Sequence, residues 1–395
     1  MELYPEKKLS HFALMAIAIG IISVMTLIFV LVITQANTDL WDVGVYYRYA
    51  NMTFTEGKIP YVDYTIEYPQ VSLVSIMLPY IPVLLTGDPN LFIPAHMLLM
   101  MIFHVLTIMF TYLTTEKLYG RRRAFYVAGL LTLLAPLTYY AITKFDAFPA
   151  CIMMFSIYLF VNRRQTESYF MATLGTMTKI FPFILFPFYI ISNIKNKMNY
   201  WFELLISGLV VIAVMLLPMT FNLKNFLFTY TMHANRGIQS ESIYFLIYQI
   251  TGINFGVGIL NTIATILPFI CIATVAFDYY GDLDPSDDTM LSYLTLALFF
   301  FIVLNKVFSP QYILWIAPLL AIEFTRKIRY TLLFIAITIL MFVEYPMLIY
   351  TVFSPYEYLV PHLATTFFII KFGLWLAAFG VLSNISDTFN MKSVE

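Results

Sequence analysis

The sequence predicts an all-α, polytopic membrane protein. Of its 395 residues, 61% are hydrophobic and only 11% are charged, whereas about a quarter of the residues of a soluble domain are charged. The chain also contains a series of apolar runs, many of them long enough to cross the ~30 Å hydrocarbon core of a bilayer. Backbone amides in lipid must be paired within the segment, so these runs are expected to be helices. The net charge of −1 favours neither nucleic acid nor a polybasic membrane patch.

About twelve apolar runs, within a range of about eleven to thirteen, are candidate transmembrane helices. They cover residues 11–33, 91–115, 124–143, 147–161, 167–178, 180–192, 200–218, 255–277, 290–306, 310–324, 329–348 and 362–383. The first run is interpreted as a retained helix, because no small-residue cleavage site follows it. Together the runs predict a single transmembrane domain over residues 1–395.

The run 71–86 is an exception. Counting it as a full span would place the arginines at 121–123 on the side opposite the lysines at positions 7 and 8. Basic residues in short loops favour the cytoplasm. We therefore interpret this run, which two prolines interrupt, as an interfacial or half-inserted helix on the outer side.

With 71–86 on the outer side, both termini and the basic loops at 121–123, 163–164, 195–197 and 326–329 lie in the cytoplasm. The acidic loop DYYGDLDPSDD (278–288) falls there too, where a solvated linker is expected. The outer side then collects the first outer loop, 34–90, the second large outer loop, 219–254, and the short segments 144–146, 178–182, 305–311 and 344–346.

Three of the spans are short. The runs 147–161, 167–178 and 180–192 hold only ~12–15 apolar residues where ~20 are normally needed. They are expected to end at a water-filled cavity that opens to the outside. The sequence thus predicts a multi-pass protein of the plasma membrane with its site on the outer face.

The first outer loop concentrates acids and tyrosines in TDLWDVGVYYRYANMTFTEGKIPYVDYTIEYPQ (38–70). A short amphipathic helix is predicted from Asp42 to Tyr49, with Asp42, Val45 or Tyr46, and Tyr49 on one side. Tyrosines suit the membrane interface, where the hydroxyl can face water and the ring lipid.

Four carboxylates in this loop have more than one interpretation. Asp39 or Asp42 can cap the short helix at its N-terminus. Asp63 and Glu67 lie among turn residues, where they can orient a polyol, hydrogen bond to the tyrosines or face water.

Six short motifs carry a resemblance to a known family. They are D-V-G-V-Y-Y-R-Y-A from Asp42, G-K-I-P-Y-V-D-Y from Gly57, E-Y-P-Q from Glu67, T-K-I-F-P at 178–182, H-A-N-R-G-I-Q-S-E-S at 233–242 and S-P-Q-Y at 309–312. Their order and common side resemble the C-type glycosyltransferase superfamily. The chain is most similar to bacterial and archaeal membrane mannosyltransferases that use polyprenyl-phosphate sugars. Gln70 departs from the pattern, because the family often has a second proline there.

The resemblance implies a polytopic fold with interfacial helices in the first outer loop and an inverting sugar transfer. In the family an aspartate early in that loop is the general base. The matching position is Asp42, and Asp39 is the competing assignment. The implied donor is a polyprenyl-phosphate-linked sugar, with mannose favoured, and the implied acceptor is a lipid or a lipid-linked glycan.

No cofactor is expected. The sequence has neither a phosphate-binding glycine loop nor a dinucleotide fingerprint, and a lipid-linked donor needs no nucleotide pocket. Asp39 and Asp42 give a D-x-x-D spacing, but no further carboxylate or histidine cluster supports a divalent metal site, which would need several oxygen ligands.

The departing lipid phosphate needs positive charge where water is excluded. Lys179, Arg236 and His233 are the outer-side cations best placed for it by sequence. Lys179 can instead pair with Asp146 or extend to the interface, Arg236 can pair with Glu241, and His233 can be a neutral hydrogen-bonded side chain. The residues expected to contact sugar or acceptor are Asp39, Tyr46, Arg48, Asp63, Glu67, Asp146, Glu241 and Gln311.

Two alternative functions stay open at this point. A transporter or lipid flippase also places ionisable residues in the membrane, although no repeat of Gly- or Pro-broken helices is evident in matching halves. A glycan ligase or polymerase of similar architecture would tend to have a larger outer loop than 219–254.

Overall fold

The computed structural model describes residues 5–34, 38–348 and 361–392. Helices make up 81% of it, and no strand occurs within these ranges. The fold is that of an all-α, polytopic membrane protein.

Eighteen α-helices follow one another through the described part of the chain. They are α1 (Pro5–Thr34), α2 (Trp41–Phe54), α3 (Ser72–Met77), α4 (Ile81–Thr86), α5 (Phe92–Tyr119), α6 (Arg121–Leu133), α7 (Ala135–Thr143), α8 (Ala147–Val161), α9 (Gln165–Thr176), α10 (Leu185–Lys195), α11 (Trp201–Phe221), α12 (Leu223–Asn235), α13 (Ile243–Thr251), α14 (Gly258–Gly281), α15 (Asp287–Val303), α16 (Ile313–Phe324), α17 (Ile328–Phe342) and α18 (Pro361–Lys392). Short 3₁₀ turns precede α4, α5, α10 and α16, and a π-helical turn, Val343–Leu348, extends α17.

A helix lies at each of the twelve candidate spans. Helices α6 and α7 share one of them and meet at a bend of 62°. By length and apolar composition, six helices of the described chain can cross a membrane, or seven if the bent pair forms one span. The count of about twelve stays a prediction. So does the cytoplasmic location of the two chain ends, since residues 1–4 and 393–395 lie outside the described ranges.

The run 71–86 forms the two short helices α3 and α4 with a 3₁₀ turn between them. Its prolines, Pro79 and Pro82, both occupy first-turn positions, where a missing amide donor costs nothing. Helix α4 ends at Gly87, whose φ of 76° is the left-handed conformation that glycine adopts most readily. The predicted broken helix is confirmed, and it is shorter than a full span; its interfacial position stays a prediction.

Helices α7 and α16 lie at the centre of the molecule, because every one of their residues is buried. Helices α1, α11 and α14 lie at the periphery, where most of their residues are not buried and many apolar side chains are exposed. An apolar and exposed helix surface is what a protein presents to lipid tails. The buried helices therefore fix the interior, and the peripheral ones face the bilayer.

The acidic loop 278–288 is not the solvated linker that its composition predicted. Asp287 forms an ion pair with Arg163 at 3.1 Å, and Asp288 forms one with Arg326 at 2.8 Å. Two of the loops predicted to be cytoplasmic thus fold against it. The prediction was wrong because the charge of a loop does not reveal which distant loops meet it.

Helices α17 and α18 are joined by a buried ion pair between Glu344 and Lys371. The ammonium of Lys371 lies 2.8 Å from a carboxylate oxygen of Glu344, and both side chains are 0% exposed. The same ammonium donates to the backbone carbonyl of Glu241 at 3.1 Å. The last helix is therefore tied to the loop that follows α12.

Breaking this pair should destabilise the protein strongly. In Lys371→Met the Glu344 carboxylate stays buried without its cation, which costs about 3–5 kcal/mol. The double variant Lys371→Met/Glu344→Leu removes both charges and should recover most of that loss. Thermal unfolding of the detergent-solubilised variants, followed by tryptophan fluorescence, measures the effect. A wild-type melting temperature for Lys371→Met would contradict it.

Candidate active site

Five of the six segments predicted to lie outside meet around a cavity of about 450 Å³, whereas the segment 344–346 does not line it. The first outer loop, the segments 144–146 and 178–182, the second outer loop and the segment 305–311 all contribute to its lining. The predicted site residues that line it are Asp42, Tyr46, Glu67, Asp146, Lys179, His233, Arg236 and Gln311.

Asp42 lies in the first turn of α2 and reaches the cavity. Tyr46 and Tyr49 follow at helical spacing and are buried, so the predicted amphipathic helix is confirmed. Leu40 is the N-cap residue of α2, so neither aspartate caps the helix from that position; the Asp39 carboxylate, one residue earlier, accepts a hydrogen bond from the Trp41 amide at 2.8 Å. The Asp42 side chain lines the cavity.

Lys144 is the ionic partner of Asp42. Its ammonium lies 2.9 Å from the Asp42 carboxylate and 3.8 Å from that of Asp39, so the two carboxylates of the D-x-x-D spacing share a lysine. No group of three or more His, Cys, Asp and Glu side chains suited to a metal occurs within the described ranges. The sequence analysis did not select Lys144, although a lysine between two apolar spans is a rare and costly residue.

Asp146 lies two residues beyond Lys144 and is only 3% exposed. One of its oxygens accepts hydrogen bonds from the Lys179 ammonium and from the Trp315 indole, both at 2.6 Å. Lys179 thus forms the ion pair that was the alternative to a phosphate-binding role. It still lines the cavity, so its cationic group stands beside any ligand there.

Stacked aromatic rings lie next to the Lys179 ammonium. Tyr312 stacks on Trp315 with ring centres 3.8 Å apart, and Trp315 stacks on Phe181 at 4.4 Å. The Lys179 ammonium lies 4.9 Å from the centre of the Trp315 ring, a distance at which the ring face attracts a cation. The S-P-Q-Y motif thereby connects to the T-K-I-F-P motif through Trp315, which the sequence analysis did not select.

Helix α12 holds the loop 62–67 in place. Four side chains, one at the N-cap of α12 and three at helical spacing along it, contact backbone carbonyl oxygens of that loop at 2.7–2.9 Å. They are Asn222, Asn225, Thr229 and His233. We call this set the α12 ladder. Its last contact joins His233 Nε2 to the carbonyl oxygen of Glu67, and it fixes the backbone from which the Glu67 side chain enters the cavity.

The carboxyl group of Glu67 is half-buried, and its pKa is raised. Burial raises the pKa of its carboxyl group, the positive charge of Arg236 opposes that rise, and the negative charge of Asp42 adds to it. The cavity therefore favours the protonated form of Glu67 more than water does.

Four predicted contact residues lie outside the lining: Asp39, Arg48, Asp63 and Glu241. Asp39 accepts the Trp41 amide at the start of α2, and Asp63 accepts the Ile59 amide at 2.7 Å in an exposed turn. Arg48 is exposed, two positions from the inward-facing Tyr46, so it points to another side of α2. Glu241 accepts the Ser240 hydroxyl at 3.2 Å.

Tyr68 and Lys306 are among the further lining residues that were not selected from the sequence. The Tyr68 ring contacts Tyr46 edge-on, with ring centres 5.9 Å apart. Tyr68 directly follows Glu67 in the E-Y-P-Q motif, and Lys306 lies in the segment 305–311, which was predicted to be on the outer side. Those two positions were the available signals.

A comparison with known proteins identifies a solved structure with a similar fold. No protein-family model and no curated protein matches the chain. Among solved structures, the crystal structure of ArnT from Cupriavidus metallidurans in the apo state is similar, with a TM-score of 0.55 and 15% sequence identity. The match covers 98% of this chain and 74% of that one. At this level of identity the match shows that the two chains share an overall fold.

The raised pKa of Glu67 predicts a pH dependence of stability. Because the folded chain holds this proton more tightly than the unfolded chain, the stabilising contribution is complete below the ordinary pKa of 4.5 and is lost as pH rises through the folded value. The melting temperature of the wild type relative to Glu67→Gln should therefore fall as pH rises from about 4.5. Below about pH 4 the carboxyl is protonated in both states and the difference should be constant. A difference that grows with pH would contradict this assignment.

Proposed function

We propose that the protein is an integral-membrane glycosyltransferase that moves a sugar from a polyprenyl-phosphate donor to a lipid or lipid-linked glycan acceptor. The observation that carries the proposal is the cavity itself, in which Asp42, several cations and an apolar wall meet. ArnT, whose fold the chain shares, is an undecaprenyl-phosphate-aminoarabinose transferase. Mannose is the sugar we propose for this chain, because its motifs resemble those of mannosyltransferases.

The apolar wall supports a lipid-linked donor. Ala264, Pro268 and Phe269 of α14 line the cavity, and Phe269 is also 52% exposed on the surface of a peripheral helix. A ligand in the cavity can therefore continue into the bilayer beside α14. A nucleotide sugar would gain nothing from such an opening, whereas an isoprenoid chain would bury apolar surface against it.

Asp42 is the proposed general base. It would take the proton of the acceptor hydroxyl while that oxygen bonds to the anomeric carbon and the bond from this carbon to the phosphate oxygen breaks. The transition state resembles an oxocarbenium ion, and attack from the face opposite the phosphate inverts the configuration. Lys144, at 2.9 Å, orients the Asp42 carboxylate.

The three cations selected from the sequence take different parts in this proposal. Arg236 is exposed and lines the cavity, and its guanidinium can bind two phosphate oxygens at once. Lys179 already pairs with Asp146 and adds positive charge beside the phosphate. His233 supports Glu67 through the α12 ladder. Glu67, Asp146, Tyr46 and Gln311 would surround the sugar or the acceptor.

Transfer of label tests the function directly. Membranes that contain the protein should move radiolabel from polyprenyl-phosphate mannose into a new lipid product, separated by thin-layer chromatography. Membranes without the protein are the control, and polyprenyl-phosphate glucose is the comparison donor. Transfer from polyprenyl-phosphate glucose alone would show that the donor sugar is glucose and not mannose. Transfer from neither donor to any of a panel of lipid acceptors would count against the proposed function.

Replacing Asp42 tests the mechanism. Asp42→Asn should lower turnover by about 10²–10⁴-fold, the usual contribution of a positioned base. Asp63→Asn is the matched control, since Asp63 is an exposed carboxylate of the same loop outside the cavity. Both proteins should elute as the wild type does on size exclusion. Normal turnover by Asp42→Asn would reject Asp42 as the base.

A further inference from the structure

We propose that a second cavity, between the first outer loop and α11, binds the apolar chain of an uncharged acceptor lipid, whose hydroxylated head group reaches the cavity lined by Asp42. We call the second cavity the α11 pocket and the first one the Asp42 cavity. The proposal rests on the glycosyl transfer proposed above and adds the class of the acceptor and its route of entry.

The α11 pocket has a volume of about 360 Å³, which is within the ~300–1,000 Å³ of typical ligand sites. Residues 59–62 and Gln70 of the first outer loop form one side, and residues of α11 between Ala213 and Phe221 form the other. Among the described residues that line it, none is charged, and only Tyr61 and Gln70 have polar side chains. The pocket therefore suits an apolar chain and not an anionic group.

The α11 pocket borders the surface that faces lipid. Helix α11 is peripheral, and two lining residues, Ile59 and Phe221, are 58% and 69% exposed. A lipid chain can therefore enter from the bilayer between the first outer loop and α11. The donor chain was assigned to α14, none of whose described residues lines this pocket. Two openings on different helices suit a reaction between two lipid substrates.

The α11 pocket and the Asp42 cavity share a wall. Tyr68 and Pro69 line the Asp42 cavity, and the next residue, Gln70, lines the α11 pocket. The Tyr61 hydroxyl, on the pocket side, donates to the carbonyl oxygen of Tyr68 at 2.8 Å. A ligand that fills the pocket is thus separated from the Asp42 cavity by only a few residues of the first outer loop.

Gln70 is the buried polar residue of this wall, with 8% of its surface exposed and no hydrogen bond to either side-chain amide atom. Its neighbour is Tyr230, which lines the Asp42 cavity. Burial raises the pKa of the Tyr230 hydroxyl, and the Gln70 side chain opposes that rise. An amide offers two donor hydrogens and an acceptor oxygen, so a contact with one hydroxyl uses only part of this capacity. A hydroxylated head group would supply the rest and remove the cost of leaving it unmet.

The wall presents neutral groups, the hydroxyls of Tyr61 and Tyr230 and the amide of Gln70. An uncharged head group can pass it without giving up the hydration of a charge. Beyond it, the acceptor hydroxyl lies in the Asp42 cavity. Its oxygen bonds to the anomeric carbon, its proton passes to Asp42, and the phosphate leaves with the electron pair of the broken bond.

Alkyl mannosides with chains of four and ten carbons test the pocket, with whichever donor the wild type uses. Ala213→Phe places a ring in the pocket and removes no charge or hydrogen bond. It should raise the KM of decyl mannoside about 10-fold, the factor expected from losing the burial of about two methylene groups. The KM values of butyl mannoside and of the donor should not change. An unchanged KM for decyl mannoside would refute the proposal.

Ile212→Phe is the matched control, because Ile212 is the preceding residue of α11, is 58% exposed and lies outside the pocket lining. It should behave as the wild type does, and an equal rise in KM there would overturn the assignment to the pocket. Ala213→Leu is the smaller replacement if the phenylalanine variant fails to insert.

A binding measurement that needs no transfer separates this proposal from the proposed function. Decyl mannoside with a diazirine at the end of its chain should photolabel residues 59–73 saturably in lipid nanodiscs. Unlabelled decyl mannoside should compete and decyl phosphate should not. Ala213→Phe should lose the labelling and Ile212→Phe should keep it. Equal competition by decyl phosphate, or full labelling of Ala213→Phe, would refute the proposal. If the wild type transfers no sugar, the proposed function fails, and the labelling still decides for or against the pocket.

Gln70→Leu tests the polar group of the wall. The KM of decyl mannoside should rise about 5- to 10-fold, the loss expected for one hydrogen bond. The melting temperature should not fall, because the amide has unmet hydrogen-bonding capacity in the free protein. A lower melting temperature with an unchanged KM would show that Gln70 supports the fold and would overturn its contact with the acceptor.

Discussion

The need to pair buried charges at the junction of α7 and α8 determines how the cavity is built. Two residues of the K-F-D segment carry charge where water is nearly excluded, and each reaches a different part of the chain. Lys144 binds Asp42 at the start of α2, while Asp146 binds Lys179 after α9 and the indole of Trp315 on α16. An unpaired charge in such a place costs several kcal/mol. The ends of three helices are consequently held against α8, and the space between them is the cavity.

The rest of the cavity is held in place by neutral contacts. The α12 ladder fixes the backbone of the loop 62–67, and hydrogen bonds around Gln239 join the second outer loop to the loop before α16. In addition, the Lys371 ammonium connects the backbone of the loop after α12 to the last helix. Groups held in this way need little rearrangement when charge develops on a ligand, which is the condition for strong electrostatic stabilisation of a transition state.

Much of this could be predicted from local patterns. Helices lie at all twelve candidate spans, and α2 is amphipathic, because run length and helical spacing are properties of neighbouring residues. Contacts between distant segments could not be predicted in the same way. Asp63 and Glu67 occupy similar turn positions, so the sequence does not show which of them enters the cavity. The backbone of Glu67 is held there by His233 of α12, which lies 166 residues away in sequence. Trp315 was missed for the same reason, being 169 residues from Asp146.

The α12 ladder contacts carbonyl oxygens of the loop 62–67, and it uses no side chain of that loop. Every residue type offers the same carbonyl. The α12 ladder itself therefore puts no requirement on the side chains between Val62 and Glu67. Other contacts constrain two of them, because Tyr64 donates to the carbonyl oxygen of Tyr49 at 3.0 Å and Ile66 is buried. Asp42, Lys144 and Asp146 are held by ion pairs that this loop does not share, so substitutions in the loop can alter the surface of the cavity at Glu67 while these charged residues stay as they are.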